Sequence, residues 1–273
     1  MESITSLTNP RVKHLVRLRS RRERDRTATF LVEGYRELCK AAASSTVIDE
    51  VYYAPDLYLG ANEPALIDQL TAAGARAIRL GADAFRKVAY RDRPDGLLAV
   101  ARQFDTSLDG IPITANPLLL VVEAIEKPGN LGTMLRTADA AGANAVIACD
   151  PTTDLFNPNT IRASVGSLFS LPVATATTAE TIEWLHTNSV RALATSPYAE
   201  RVHWETDLRG PVAVVVGSEQ YGLNERWLAP PITAVRIPMG GTADSLNAAM
   251  AAGIVLFEAV RQRTSEGATP ETA

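Results

Sequence analysis

The fold is decided by residues 118–138, which read LLLVVEAIEKPGNLGTMLRTA. The run 118–122 is wholly apolar, as expected of a parallel strand that is buried on both faces. Gly and Pro then indicate a turn, and residues 130–141 are predicted to form a helix. A buried strand followed by a turn and a helix is the repeating unit of an α/β fold. Ligands of such sheets bind at the carboxyl ends of strands, so this turn is a candidate site.

The same alternation extends along most of the chain in both directions. Further strands are predicted at residues 29–32, 50–54, 75–79, 96–101, 145–148, 191–195 and 212–216. Further helices are predicted at residues 63–73, 178–187 and 245–262. Strands that alternate with helices indicate an α/β fold with a mostly parallel sheet.

Two modules are predicted from length and composition. The 273 residues are 46% hydrophobic, which is enough for one large domain or two ordinary ones. Residues 104–117 carry Asp, Gly and Pro without periodicity, which is typical of a linker. We therefore predict an N-terminal domain at 1–105, a linker at 106–117, a second domain at 118–264 and a disordered tail at 265–273.

The net charge of −4 is an average over unlike segments. Residues 11–26 hold eight basic side chains against two acidic ones, and Asn9 with Pro10 indicates that a helix begins there. Residues 1–105 sum to +3, whereas residues 106–273 sum to −7. A basic segment binds phosphates with release of counterions. The six side chains that we predict to contact a nucleic acid are Arg11, Lys13, Arg17, Arg19, Arg21 and Arg22.

Several classes of protein are disfavoured by the sequence. No apolar run approaches the roughly 20 residues of a membrane span, and the first residues lack the apolar core of a signal peptide. We therefore predict a cytoplasmic protein, in which Cys39 and Cys149 are reduced. The sequence contains no GxGxxG, GxxxxGK[ST] or GxSxG motif. The three histidines are scattered, so we predict no metal site.

Two further segments have the composition of a ligand site. Residues 212–223, VAVVVGSEQYGL, are an apolar strand that continues directly into Gly217, where the backbone can approach a ligand closely. Residues 237–251, IPMGGTADSLNAAMA, pass through a Gly-Gly loop into the predicted helix at 245–262, which places Asn247 in its first turn. A polar side chain in such an apolar helix needs a partner.

Together, these segments resemble the three motifs of the SpoU (TrmH) family of RNA ribose 2′-O-methyltransferases, within the SPOUT superfamily. The motifs are carried by Asn130-x5-Arg136-Thr-Ala, by Gly217-Ser-Glu219-x2-Gly222-Leu, and by Ile237-Pro-Met with Ser245-Leu-Asn247. The opening Asn9-Pro-Arg-Val-Lys and Phe30-Leu-Val-Glu-Gly resemble the N-terminal substrate-binding module of the members that modify rRNA. That module is a small α/β domain similar to an RNA-binding ribosomal protein.

The resemblance implies a fold, a cofactor and a set of site residues. The second domain is expected to contain a deep trefoil knot, to bind S-adenosylmethionine and to form a homodimer. The residues that match the family's catalytic centre are Asn130, Arg136, Glu219, Ser245 and Asn247. The residues expected around the cofactor are Thr195, Gly217, Ser218, Ile237, Met239 and Leu246. Large-subunit (23S) rRNA is the expected substrate.

One departure from the family pattern leaves alternatives open. The family usually follows the asparagine of its third motif with Val-Ser-Val, but Ala248-Ala-Met stands here. The alternatives are a tRNA 2′-O-methyltransferase and a non-catalytic RNA- or ribosome-binding protein that keeps the fold. A nucleotide-dependent oxidoreductase is a further alternative, which the missing GxGxxG motif disfavours.

Overall fold

The computed structural model describes residues 2–264. The chain divides into two compact units, each with its own sheet. The first unit contains residues 1–104 and 154–170, and the second contains residues 105–153 and 171–273. The predicted tail at 265–273 lies outside the described residues. No helix in the described part of the chain is long and apolar enough to cross a membrane.

The first unit is built on a mixed sheet of five strands. In chain order they are β1 (Glu2–Ile4), β2 (Thr29–Glu33), β3 (Ile48–Tyr53), β4 (Arg76–Leu80) and β5 (Leu97–Arg102). Their order across the sheet is β1-β4-β3-β5-β2. Strand β4 is parallel to both of its neighbours, whereas β5 is antiparallel to both of its own. Apolar side chains from all five strands form the core with the helices.

The helices of this unit are α1 (Pro10–Arg17), α2 (Arg21–Thr27), α3 (Tyr35–Ala42), α4 (Glu63–Ala72), α5 (Ala82–Val88) and α7 (Pro158–Ser164). The basic segment was predicted as one helix from Pro10, and this is wrong at Leu18–Ser20. The Ser20 hydroxyl accepts a hydrogen bond from the Glu23 backbone N–H, which caps a second helix. Asn9 caps α1 as predicted, through the N–H of Arg11 at 2.9 Å.

An aromatic cluster explains why residues 154–170 belong to the first unit. Phe156 lies with its ring centroid 4.8 Å from that of Phe30 on β2 and 5.1 Å from that of Phe104. Phe169 stacks on Phe30 at 6.3 Å. The prediction that residues 118–264 form one uninterrupted domain therefore differs from the structure at this segment. The difference arises because these aromatic side chains are buried by residues distant in sequence.

The second unit is built on a fully parallel sheet, which confirms the predicted α/β class. Its strands are β6 (Leu118–Glu123), β7 (Ala145–Cys149), β8 (Val173–Ala176), β9 (Arg191–Thr195), β10 (Arg201–Val202), β11 (Val212–Val216) and β12 (Thr233–Arg236). Their order is β10-β12-β9-β11-β6-β7-β8. Strands β6 and β11 are fully buried, as their apolar sequences require.

The helices of this unit are α6 (Pro128–Ala140), α8 (Thr178–Thr187), α9 (Glu225–Leu228) and α10 (Ala248–Thr264). Helix α8 has the predicted bounds, and Thr177 with Glu180 forms a capping box at its start. The predicted start of the last helix at Ser245 is wrong. The Asn247 side-chain oxygen accepts from the backbone N–H of Ala249 at 2.9 Å and of Met250 at 3.3 Å. Asn247 therefore precedes the helix as its cap.

The stretch predicted as a linker, residues 106–117, packs within the second unit. The Thr175 N–H donates to the Thr106 carbonyl at 2.7 Å, and a short 3-10 turn covers Leu108–Gly110. Ile111 is buried in the core of the unit. Low periodicity is thus compatible with an ordered segment, because a few anchoring contacts suffice to hold it.

Arg24 provides a test of how residues 154–170 are held. Its buried guanidinium donates to Asp154 at 2.6 and 2.8 Å and to the carbonyls of Leu18 and Arg19. Arg24→Ala leaves Asp154 and two carbonyls without their donor, so we expect the free energy of unfolding to fall by about 3–5 kcal/mol. Urea denaturation measures this change. Arg22→Ala removes an exposed neighbour and is the control, and equal stability of the two variants would contradict the assignment.

Candidate functional site

Three neighbouring parallel strands end at one edge of the second sheet. Strand β9 ends at Thr195, β11 is followed by Gly217, and β12 is followed by Ile237. These strands are adjacent in the order β12-β9-β11, so their carboxyl ends lie side by side. The Thr195 hydroxyl donates to the Val215 carbonyl of β11 at 2.9 Å, which fixes its side chain between the two strands. This edge is where ligands of parallel sheets bind.

A tight turn follows β11 and requires glycine at its first position. Ser218 and Gly222 exchange backbone hydrogen bonds at 3.1 Å, and the Ser218 hydroxyl accepts from the Tyr221 N–H at 3.1 Å. A Cβ atom at Gly217 would collide with backbone atoms of Gly222 and Leu223. The motif that begins at Gly217 therefore folds back on itself at the end of the strand.

A cavity of about 400 Å³ lies beneath this turn. Backbone of the turn forms one wall, and side chains from the loop between β12 and α10 form another. Its volume is within the range of small-molecule pockets. From the predicted site residues, the lining contains Thr195, Gly217, Ser218, Ile237, Met239 and Leu246, together with Glu219 and Ser245. All six residues expected around the cofactor thus surround one cavity.

A chain of side-chain hydrogen bonds joins the three sequence motifs. The Asn247 amide nitrogen donates to the Asn130 side-chain oxygen at 3.3 Å. The Asn130 amide nitrogen in turn donates to a carboxylate oxygen of Glu219. The direction of the chain is set by α10, because the Asn247 oxygen is already used by the N–H groups of the helix start. Glu219 is therefore the final acceptor.

The second carboxylate oxygen of Glu219 is buried and has no hydrogen-bond partner among the described residues. Glu219 lines the cavity, so this oxygen is an acceptor available to a bound molecule. An unpartnered buried carboxylate oxygen is costly unless a ligand satisfies it. A cationic group, or one that donates hydrogen bonds, suits this position. Ser245 lines the same cavity on the exposed loop before α10.

Arg136 is the predicted site residue that this network leaves out. It lies on α6, six residues after Asn130, and is exposed. Its side chain forms no hydrogen bond or ion pair within residues 2–264. The side chain lies on a different face of α6 from Asn130, because six residues along a helix turn a side chain away from the first. An exposed guanidinium without an internal acidic partner can bind an external anion.

Glu123 is a site residue that the sequence reasoning missed. It ends β6, and its buried carboxylate accepts from the Asn224 N–H at 2.7 Å, the Trp227 indole N–H at 3.1 Å and the Thr178 hydroxyl at 2.6 Å. These bonds anchor the segment after the Gly217 turn to the centre of the sheet. A carboxylate directly after a wholly apolar strand was the signal available in the sequence.

The basic segment is partly neutralised by internal contacts. Arg11 pairs with Glu50 and Glu2, Arg17 lies 3.5 Å from Glu23, and Arg21 lies 3.6 Å from Asp25. A hydrogen bond from Arg26 holds the pKa of Glu23 at about 2, so this carboxylate is charged at neutral pH. Arg19 donates to two backbone carbonyls. Among the six predicted RNA contacts, only the side chains of Lys13 and Arg22 form no hydrogen bond or ion pair with residues 2–264.

Two family models match the chain, one for each half. The model described as the SpoU rRNA Methylase family matches residues 117–257, and an MRM3-like substrate binding domain matches residues 9–99. The first match alone covers more than half of the chain. The second match coincides with most of the first compact unit.

Similar proteins match over nearly their whole length. The 23S rRNA (guanosine(2553)-2′-O)-methyltransferase RlmP of Bacillus subtilis is 33% identical over 94% of this chain and 98% of its own. The AdoMet-bound rRNA methyltransferase of Sinorhizobium meliloti is 33% identical with a TM-score of 0.87, over 95% of this chain and 97% of its own. The SpoU methyltransferase AviRb of Streptomyces viridochromogenes is 30% identical with a TM-score of 0.86, over 94% of this chain and 98% of its own.

Gly217 provides a test of the turn geometry. Gly217→Ala places a methyl group against the backbone of Gly222, so we expect the free energy of unfolding to fall by about 1–3 kcal/mol. The same change should open the cavity wall. Thermal unfolding measures the loss. Gly129→Ala is the matched control, because a Cβ atom there meets no atom within 4 Å. If both variants unfold at the same temperature as the wild type, a Cβ atom at position 217 is tolerated and the turn does not require glycine there.

Proposed function

The chain belongs to the SpoU rRNA methylase family, and we propose that it transfers a methyl group from S-adenosylmethionine to a ribose 2′-hydroxyl of 23S rRNA. The observation that carries this proposal is the convergence of all three motifs at one sheet edge. Asn130, Glu219 and Asn247 come from separate parts of the chain and meet in one hydrogen-bonded chain beside the cavity. The knotted topology that the resemblance implies stays a prediction.

The cavity suits S-adenosylmethionine in chemistry as well as size. Ile237, Met239 and Leu246 offer apolar contact to the adenosine, and the backbone of the Gly217 turn offers hydrogen bonds. The unpartnered Glu219 oxygen complements a positively charged donor molecule. When bound, S-adenosylmethionine supplies an electrophilic methyl group that needs little further activation.

Arg136 acts on the acceptor side of the reaction. The ribose hydroxyl is a weak nucleophile that must lose its proton as it attacks. A guanidinium with a pKa above about 12 is a poor general base. Arg136 instead binds the phosphate next to the target ribose through two parallel hydrogen bonds, which orients the hydroxyl and lowers its pKa. Its exposure and its lack of internal partners leave it available for this contact.

The Asn247–Asn130–Glu219 chain positions the groups around the ribose. Asn130 is held at both ends of its amide, so its side chain cannot rotate freely. Glu219 carries the remaining free oxygen and accepts the hydroxyl proton or a donor of the bound molecules. The alanines after Asn247 do not interrupt this chain, because the contacts use the Ala249 and Met250 backbone rather than their side chains.

Large-subunit rRNA is the favoured substrate because of the N-terminal unit. That unit matches a substrate-binding domain, and similar proteins across most of the chain act on 23S rRNA. Within the basic segment, Lys13 and Arg22 are the cations available for phosphate contacts. Cytoplasmic location, where ribosomal RNA is found in bacteria, follows as part of the proposal. Mapping of 2′-O-methyl groups in 23S rRNA from cells with and without the gene tests the substrate, and an unchanged map would contradict it.

A second copy of the chain is the proposed partner of α10. Met250, Ile254 and Phe257 lie on one face of this helix and are between 36% and 61% exposed. A continuous apolar stripe of this kind marks an interface between proteins. Homodimerisation would bury the stripe close to the proposed cofactor cavity, since Ala248 and Ala251 of the same helix line that cavity.

Ile254→Lys tests this interface. A charge in the middle of the stripe cannot be buried unpaired, so we expect the dimer to dissociate into monomers. Sedimentation velocity measures the change in mass. Gln69→Lys on the exposed face of α4 adds the same charge elsewhere and is the control. A wild type that sediments as a monomer, or an Ile254 variant that stays dimeric, would overturn the proposed interface.

Arg136→Ala tests the proposed mechanism. We expect methyl transfer to 23S rRNA to fall by at least about a thousandfold, because the orientation of the hydroxyl is lost. Binding of S-adenosylmethionine, measured by calorimetry, should be unchanged. Arg86→Ala removes an exposed arginine of the first unit and is the control. Near-normal transfer by the Arg136 variant would refute its role, and loss of cofactor binding would place Arg136 at the cofactor instead.

A further inference from the structure

A second concave site lies wholly within the first compact unit. Its volume is about 800 Å³, and it is formed by α3, the start of α4, residues 91–95 and residues 162–165. None of its residues takes part in the methyl-transfer site described above. Its size exceeds that of the cofactor cavity and suits a ligand as large as a nucleotide.

Two buried carboxylates lie at the floor of this site. Glu37 and Glu63 are each 3% exposed. One oxygen of Glu37 accepts from Arg91 at 2.6 Å, and one oxygen of Glu63 accepts from the Gly60 N–H at 2.9 Å. The second oxygen of each carboxylate is buried without a hydrogen-bond partner among the described residues. The Nε–H of Arg91, which lines the same cavity, is also buried without a partner among the described residues. Two unpaired acceptors and one unpaired donor are costly and point to a ligand that carries two donors and an acceptor.

Three arginines occupy the exposed rim of the same site. Arg36, Arg93 and Arg162 all line the cavity and are exposed. None of their side chains forms a hydrogen bond or ion pair with residues 2–264. A single exposed acid, Asp92, lies among them. The rim is thus cationic, whereas the floor presents two free acceptors and one free donor.

A bound metal ion does not account for the unsatisfied carboxylate oxygens of this site. Within residues 2–264, no group of three or more potential ligand side chains can hold a metal. Arg91 lies among the acids, bonded to Glu37 and 3.7 Å from Asp95, and already supplies a positive charge there. The lining as a whole holds four arginines against four acidic side chains, so the unsatisfied oxygens call for neutral hydrogen-bond donors rather than for a further cation.

We infer that this site binds one unpaired guanine nucleotide of the RNA substrate, with the base on Glu37 and Glu63 and the phosphates on the rim arginines. The Watson–Crick edge of guanine carries two adjacent donor nitrogens, N1 and N2, beside the acceptor O6, which suits two free carboxylate oxygens and the free Arg91 Nε–H. Sequence-specific contacts to RNA are made to unpaired bases of this kind, and arginine suits phosphates. The inference rests on the proposed function only in taking RNA as the ligand.

Residues 154–170 acquire a role in this account. They interrupt the methyltransferase half of the sequence, yet they supply Arg162 to the rim of a site in the first unit. The burial of Phe156 and Phe169 and the Arg24–Asp154 pair hold this segment in place. The proposed RNA site is thus built from both segments of the first unit, residues 1–104 and residues 154–170.

A binding experiment with the full chain and modified RNA tests the base contact directly. The probe is a fluorescein-labelled oligouridine with one central guanosine, inosine or abasic nucleotide, measured by fluorescence anisotropy. Inosine lacks the N2 amino group and so loses one donor. We expect the guanosine oligomer to bind about tenfold more tightly than the other two. Equal affinity of the wild type for all three oligomers would overturn the inference.

Glu63→Gln tests the floor of the site. The Gly60 N–H requires an acceptor, so the glutamine oxygen stays there and its NH₂ group faces the cavity. The glutamine NH₂ group then faces a donor nitrogen of the guanine base, and no hydrogen bond can form between them. We therefore expect the preference for guanosine over inosine to disappear. Asp68→Asn makes the same chemical change at an exposed position of α4 and is the control. A preference that persists in the Glu63 variant excludes this carboxylate as the base acceptor.

The rim is tested by charge removal. The triple change Arg36→Ala, Arg93→Ala and Arg162→Ala should reduce the slope of log affinity against log salt by about 2, since each phosphate contact to a single strand contributes about 0.7. The control removes the exposed, ion-paired arginines Arg76, Arg86 and Arg102. Equal slopes in the two triple variants would overturn the rim assignment.

Failure of the guanosine inference can be distinguished by experiment from failure of the proposed methyl-transfer function. Binding of S-adenosylmethionine and methyl transfer are separate readouts from oligonucleotide affinity. Failure of the inference leaves both intact while the guanosine preference is absent. Failure of the proposed function leaves an RNA-binding chain without methyl transfer.

Discussion

The site depends on one directional chain of hydrogen bonds that starts at the first turn of α10. The free N–H groups of that helix occupy the Asn247 oxygen, which forces the Asn247 amide nitrogen toward Asn130. Asn130 must then donate to Glu219, so the polarity of the whole network follows from a helix cap. The cap also explains why α10 begins where it does. A backbone requirement at one helix therefore sets the orientation of side chains in two other motifs.

The charge of the chain is distributed unevenly between its two units. The sheet that holds the proposed cofactor cavity belongs to the acidic half of the chain, whereas the first unit is basic overall. Internal ion pairs neutralise much of the basic charge of α1 and α2. The cations without such partners include Lys13 and Arg22, the rim arginines of the second site, and Arg136. The overall charge therefore does not show which cations are free to bind RNA, whereas the internal partners of each cation do.

Much of the second unit was predictable because its signals are local. Residues 212–216 are a strand and residues 178–187 a helix with the predicted bounds, since an apolar run and a capping box specify them. Glu37 and Glu63 could not be recognised as a pair, because they meet only in the folded unit. Residues 154–170 were misassigned for a similar reason, since the partners of Phe156 lie far away in sequence. The exposure of Arg136 depends on helix rotation, which the motif spacing did not resolve.

Nucleoside analysis of rRNA treated with the purified chain tests the central claim most directly. Unmodified 23S rRNA is incubated with methyl-labelled S-adenosylmethionine and digested to nucleosides, which are identified by mass spectrometry. We expect the label in a ribose-methylated nucleoside, because the proposed site would orient a 2′-hydroxyl next to a phosphate. Label in a base-methylated nucleoside, or no incorporation into rRNA, would contradict it.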